Sequence, residues 1–345
     1  MMGSLIMIGA GCISFNSGTA SAGADGGIFK TADKGVNWVQ KSAIATTTGE
    51  KLSISNANVI SIVQDPEDSS ALYVGTADNG LFYSYDAGES WLQPVQLSHG
   101  RIPSVSIDAK NKCIIYVAAE NKVLKTVDCS RTWNSVYFET RTEKLTTAVV
   151  VDHYDPNIVW MGNSSGDLSK STDAGLSWKP IRTFDGHQIV KIMLNVADSR
   201  KVYVATKDYG VWRSVDAGAT WKDLSENYKD FSGSREFSDM TFGVSDPGMM
   251  IIASKYGLIR STDGGDKWSS IELLTPPGSA VIYSVALDPK DTNGLYYGTA
   301  TTFYSSPNGA VNWVTKKSPT SRAATAMLVD SSNQSVIYLG ATKFK

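Results

Sequence analysis

The sequence predicts an all-β fold, a seven-bladed β-propeller of four-stranded antiparallel blades. Three observations predict it: a composition rich in turn and aromatic residues, a tryptophan-ended motif that recurs seven times, and four short β-type segments in each interval. Of 345 residues, 42% are hydrophobic, 10% aromatic and 19% charged, with 30 Gly, 15 Tyr and 9 Trp. Such a chain is globular rather than disordered and long enough to bury a sizeable core. Its 32 Lys and Arg against 34 Asp and Glu give a formal charge of −2. That balance argues against a protein that coats nucleic acid, because neutralising phosphates needs a clustered cationic excess.

The amino terminus stands apart from the repeats. Residues 1–15, MMGSLIMIGAGCISF, form an uncharged apolar run followed by a small, polar stretch. The run is shorter than the roughly 20 residues of a membrane span and suits the apolar part of an export signal. Residues 1–23 are therefore read as an export or lipoprotein-type segment with a short linker. Gly9-Ala10-Gly11-Cys12 resembles a bacterial lipoprotein box, although Gly9 stands where Leu is usual. The resemblance implies lipidation of Cys12, which would be the chain's one association with a membrane; the alternative is an ordinary secretion signal or a tail.

From residue 24 onward the motif hydroxyl-x-Asp-x-Gly-x-x-Trp organises the chain. Its good copies are built on Thr31, Asp33 and Trp38; Ser84, Asp86 and Trp91; Ser171, Asp173 and Trp178; Ser214, Asp216 and Trp221; and Ser261, Asp263 and Trp268. Two copies are degenerate. Thr126, Asp128, Ser130 and Trp133 lack the Gly, and Ser306, Asn308, Ala310 and Trp313 lack both Asp and Gly. The tryptophans are 53, 42, 45, 43, 47 and 45 residues apart. Each copy makes sense as a tight turn: the Asp accepts from backbone N–H groups after it, the Gly takes positive φ, and the hydroxyl ties the preceding strand end. The Trp then anchors the turn against the neighbouring hairpin.

Between turns the text reads VISIVQDP, ALYVGTADNG, GLFYSYDAG and SWLQPV from Val59, four β segments to a unit. The first motif has only its own two strands, whereas the chain ends on AATAMLVDSSNQSVIYLGATKFK, two strands with no motif. Joining the ends completes one blade and closes the ring, which removes open edges. Residues 24–345 are expected to form this single domain, with residues 323–341 pairing beside 27–31.

These turns resemble the Asp-box, or bacterial neuraminidase, repeat over nearly the whole chain after residue 24. The blades look most like those of sortilin-type propellers, photosystem II stability/assembly-factor-type propellers and xyloglucanases. The resemblance is specific for fold and not for function, since such propellers include enzymes, receptors and assembly factors. A sialidase of this class would carry an arginine cluster, and Arg101-Ile102-Pro103 matches that family's Arg-Ile-Pro. Here, however, it lies between the second and third boxes, and the blades number seven rather than six. A xyloglucanase would use two carboxylates across a cleft between two propellers, whereas Asp65, Asp155, Asp246 and Asp288 recur after the first strand of their blades, as turn residues do.

No metal site, cofactor loop or catalytic residue is expected. His99, His153 and His187 are scattered, and no Gly-x-Ser-x-Gly elbow occurs. The interblade loops, residues 41–58, 95–103, 138–144, 182–188, 225–237, 273–281 and 315–323, are the varied segments, with eleven basic and seven acidic residues. Loops on a rigid scaffold carry function. Arg101, Arg141, His187, Arg235 and Arg322 lie just before five innermost strands, where they could ring the channel mouth and bind carboxylates or phosphates. In the blade of the third box, Cys113 and Cys129 fall opposite each other about a hairpin turn near Glu120 and Asn121, which in an exported protein favours a disulfide. The expectation is an exported, non-catalytic, monomeric interaction scaffold for a protein or anionic polymer, with a glycan-active enzyme as the alternative.

Overall fold

The computed structural model describes residues 24–46 and 50–344; the amino-terminal segment and Cys12 lie outside the described residues. Seven antiparallel sheets surround a central channel. Blade three shows the plan. Its strands Thr146–Val151, Val159–Asn163, Asp167–Ser171 and Lys179–Thr183 pair in sequence order from the channel outward. Numbered from Val59, blades one to six follow in chain order. The seventh is made of Ala323–Val329, Ile337–Thr342, Gly27–Thr31 and Val39–Lys41. The ends meet with Gly27 opposite Ala341 and Thr31 opposite Ile337. Among the described residues the only helical turns are Val95–Leu97 and Ser225–Asn227.

Blade one departs from the four-strand plan. Its ladder has three strands, and the fourth is reduced to the bridge Tyr83↔Leu92. Pro94, which has no N–H to donate, follows two residues later and opens the turn at Val95–Leu97. The interblade segment from Ala43 covers this edge: Trp91 N–H donates to the Ala43 carbonyl, and Ala45 N–H to that of Trp91.

The core lies between blades rather than within them. Second strands such as Leu72–Thr76, Val159–Asn163 and Met250–Ser254 are buried along their whole length, because both faces meet a neighbouring blade. Between blades seven and one, for example, Tyr338 and Ala326 pack with Leu72, Val74 and Trp91. Close approach requires small residues there. A Cβ on Gly162 would lie 2.5 Å from the Ile189 side chain, and one on Gly298 2.5 Å from Ala324.

The repeated turn is a closed network of hydrogen bonds. Ser171 Oγ donates to Asp173 Oδ1 (2.7 Å) and accepts the N–H groups of Asp173 and Gly175. Asp173 in turn accepts the Ser177 N–H at 2.8 Å and its hydroxyl at 2.5 Å. Thr126–Asp128 and Ser306–Asn308 keep the same core despite their degenerate sequences. Two successive residues take positive φ, not the Gly alone: Ala174 (57°) precedes Gly175 (94°), and in the last copy Gly309 (69°) precedes Ala310 (74°). The glycine there has moved one position upstream. The indole N–H groups of Trp91, Trp178 and Trp313 reach carbonyls of the preceding blade's end, at Lys41, Val136 and Glu272, while Trp221 and Trp268 bond within their own turns.

A second device joins blades at the same turns. The residue before the motif hydroxyl is basic in five copies, and each donates to the carbonyl of the first positive-φ residue in the next blade. Lys30 reaches Ala87, Lys125 reaches Ala174, Lys170 reaches Ala217, Arg213 reaches Gly264 and Arg260 reaches Gly309, at 2.7–3.2 Å.

Two outcomes follow from the turns. Hydroxyl donation, from Thr31 to Asp33 and from Thr132, Ser177 and Thr220 to the others, holds Asp33, Asp128, Asp173 and Asp216 at about 2 against an ordinary 3.8. Folded-state values below the unfolded ones mean stabilisation that is complete above the ordinary carboxylate pKa and lost on the way down to the folded one. The melting temperature should therefore be level near neutrality and fall as pH drops from about 4 to about 2, as a pH series of thermal melts would report. Replacing Ala310 by Gly should raise stability by about 0.5–1 kcal/mol in denaturant titration, because only Gly takes positive φ without strain.

Candidate functional site

One face of the ring carries the motif turns together with the turns between first and second strands. The opposite face carries the turns between second and third strands and the interblade loops, and it is the candidate interaction surface.

On the motif face the carboxylates are committed. After the innermost strands, Asp65, Asp152 and Asp288 each accept two successive backbone N–H groups through Oδ1, and Asp330 does the same. A second residue three positions on closes the same turn: Asp68, Asp155 and Asp291 accept from Ser70, Asn157 and Asn293. Asp65 and Asp288 thus hold the first position and Asp155 and Asp246 the second, so the four carboxylates are not one recurring site, as the sequence reading had them. The Asp-x-x-Asp spacing in DPED, DHYD and DPKD was the readable signal. Burial raises the Asp65 pKa.

Four of the five predicted mouth residues are engaged locally. Arg141 forms a fork on Glu139 (2.8 and 2.7 Å) and holds that carboxyl down at about 2. Arg235 pairs with Glu226, and His187 stacks flat on Tyr209 at 4.1 Å, whose hydroxyl donates to Asp185. Arg322 is turned inward at the closing seam, with its side chain 9% exposed. It binds Asp25 Oδ1 (3.1 Å), the Asn56 carbonyl (3.0 Å) and Asn58 Oδ1 (3.2 Å). Arg101 differs: it is exposed and has no hydrogen bond or ion pair with any described residue. The structure therefore assembles no ring of free cations. Carboxylates close in sequence or across the seam take up the charges that a count of loop residues treats as available.

The channel itself is lined by the innermost strands. Two chambers of about 310 and 350 Å³ share Lys191 and Asp239 as lining residues. Lys191 Nζ donates to Asp239 Oδ1 (2.7 Å) and to the Met240 carbonyl (2.8 Å), and Asp239 Oδ2 accepts the Val285 N–H (3.0 Å). One carboxylate so ties blades four, five and six. The sequence reading missed this pair, yet a charged residue inside each of the strands IVKIMLN and FSDMTF marks it.

A further concavity of about 500 Å³ lies on the loop face of blade five, where Tyr256, Leu273, Leu274 and Pro276 line a groove of mixed character together with Glu272 and Thr275. Cys113 and Cys129 stand side by side in blade two with Cα atoms 3.9 Å apart and their sulfurs joined. No group of three or more His, Cys, Asp or Glu among the described residues could hold a metal ion. No described helix is long and apolar enough to cross a membrane.

No protein-family model matches the chain. It is similar to a vacuolar protein sorting/targeting protein 10 of Aspergillus flavus, 28% identical over 35% of this chain and 8% of that protein. A xyloglucanase of Hypocrea jecorina is 23% identical over 87% of this chain and 46% of the enzyme. Photosystem II assembly lipoprotein Ycf48 of Trichormus variabilis is 26% identical over 46% of this chain and 42% of that protein. The chain thus spans less than half the length of these curated relatives. Among solved structures, a Niastella koreensis GH74 enzyme superposes with a TM-score of 0.68 at 15% identity, covering 83% of this chain and 51% of that one. Ycf48 bound to D1 peptide superposes with a TM-score of 0.63 at 15% identity, covering 83% and 94%. At such identities the likeness is one of fold.

The placement of Arg322 makes it a seam residue. Arg322→Ala should destabilise the protein by about 2–3 kcal/mol, since it leaves several part-buried acceptors unmatched. Arg141→Ala, which strips the fork from the buried Glu139 carboxylate while Arg141 itself is exposed, should cost less than that, about 1–2 kcal/mol in the same denaturant titration.

Proposed function

We propose that this protein is a non-catalytic interaction scaffold, working outside the cytoplasm, that binds a protein or polymer partner on its interblade-loop face. The observation that carries this reading is the commitment of the repeated carboxylates. Those of the motif turns and of the turns after the innermost strands accept backbone N–H groups where general acid–base chemistry would need them free to exchange protons with a substrate. The loop face differs from blade to blade, and it holds both the exposed Arg101 and the groove of blade five. Ycf48, a photosystem II assembly lipoprotein that has been solved with a D1 peptide, supports a protein partner, as does the sorting protein. Export is supported by the apolar amino-terminal run, the joined cysteines and the lipoprotein among the relatives.

A glycan-active enzyme is the second reading, favoured by the xyloglucanase match along 87% of the chain. The two readings separate in one experiment with the purified chain and native extract. Arg101→Ala and Leu274→Asp should each leave the melting temperature within about 1 °C, as exposed substitutions do. At least one of them should cut recovery of a specific partner about tenfold, the loss of one good polar or apolar contact. Equal recovery by both variants would remove the loop face from consideration. Release of sugars from xyloglucan by the wild type would replace the scaffold by the enzyme.

A further inference from the structure

The seven motif turns share one more bond, and blade two treats it differently. In each turn the first positive-φ residue donates its backbone N–H to the residue that leads into its blade's second strand. Lys34 donates to Ser335, Ala87 to Ser70, Ala174 to Asn157, Ala217 to Arg200, Gly264 to Gly248 and Gly309 to Asn293, all at 2.8–2.9 Å. In blade two the pair is Cys129 and Cys113, the bond is 3.3 Å, and the same two residues are joined through their sulfurs. A covalent link therefore sits where the other six blades rely on a hydrogen bond.

The same turn lacks two supports found at most of the others. It alone has two non-glycine residues in succession at positive φ, Cys129 at 57° and Ser130 at 69°; each of the other six has a glycine at one of these two positions. Side chains there are disfavoured by contact of Cβ with the backbone. Nor does it receive a basic side chain from the blade before it. The Cys129 carbonyl, the position that takes Lys or Arg in five other turns, receives the Tyr85 hydroxyl of blade one at 3.2 Å. The Thr126–Asp128 bonds are intact, but this is the one motif turn that lacks both the glycine and the basic donor, and it is the turn that carries the cysteines.

We propose that the Cys113–Cys129 disulfide is a redox-released staple that does the work of the missing glycine. Two electrons and two protons convert it to two thiols, and the turn then loosens together with the seam between blades one and two. The proposal is independent of the binding reading, because it concerns the ring and not its partner. It makes the oxidising state of the compartment a condition for a fully latched ring.

The test uses the whole protein. Thiol counting on denatured, unreduced protein should find neither cysteine reactive. Tris(2-carboxyethyl)phosphine, which supplies the two electrons and becomes its oxide with oxygen from water, should lower the melting temperature by about 4–8 °C, from the closure of a 16-residue separation. Hydrogen exchange should accelerate chiefly in residues 127–133 and at Tyr85. The double variant Cys113→Ser, Cys129→Ser should match reduced wild type and ignore the phosphine, and adding Ser130→Gly should recover part of the loss. Two reactive thiols at the start, a melting temperature unmoved by reduction, exchange that rises evenly around the ring, or no rescue by Ser130→Gly would each overturn the proposal. The wild-type comparison stands even if a variant does not fold.

Discussion

The structure depends on a pair of left-handed residues in each motif turn. Forcing two successive positive-φ residues reverses the chain tightly, and the hydroxyl and carboxylate are there to hold that reversal. The reversal also aims the carbonyl of the first such residue at the blade before it. In five seams a Lys or Arg takes that carbonyl. A local turn thereby becomes the coupling between neighbours. Apolar layers between blades are non-directional and would tolerate sliding, whereas a charged donor aimed at one carbonyl fixes the register of blade on blade.

This coupling explains why so many polar residues say little about function. Asp173 and its counterparts, the aspartates after the innermost strands, and even the channel pair Lys191–Asp239 are all parts of the frame. What the frame does not use is a loop arginine, a groove on blade five, and loops whose lengths differ. Similarity to enzymes, sorting proteins and assembly factors at once is the expected signature of a fold whose repeated residues serve its closure.

The tryptophan spacing made the blade number, the strand order and the terminal blade legible, because a repeat imposes the same geometry wherever it occurs. The fourth strand of blade one was not legible: SWLQPV reads as a strand, and only the Ala43 segment lying along its edge shows that the place is partly taken. The pairing of the basic loop residues went unread for a related reason. Arg141 and Glu139 are two residues apart, and Arg235 and Glu226 nine, so the neutralising partners stood in the same loops. Arg322 was misread differently, since its carboxylate, Asp25, comes from the far end of the chain. The basic residue before each motif hydroxyl was in plain view, but it has meaning only once the next blade's carbonyl is known to face it.

The terminal blade, with two strands from each end of the chain, also sets the order in which the molecule can be made. Gly27–Thr31 leaves the ribosome, or crosses a membrane, almost a full chain length before Ile337 arrives to pair with it. Blades one to six can assemble in sequence, each on the edge of the last, but the ring is an open arc until the strand Ile337–Thr342 has been made. During that interval the first and last blades expose the faces that later meet, a long-range pairing of the kind that slows folding and invites misassembly. Arrival of the strands Ala323–Val329 and Ile337–Thr342, rather than collapse of the earlier blades, is therefore the step that times the native state.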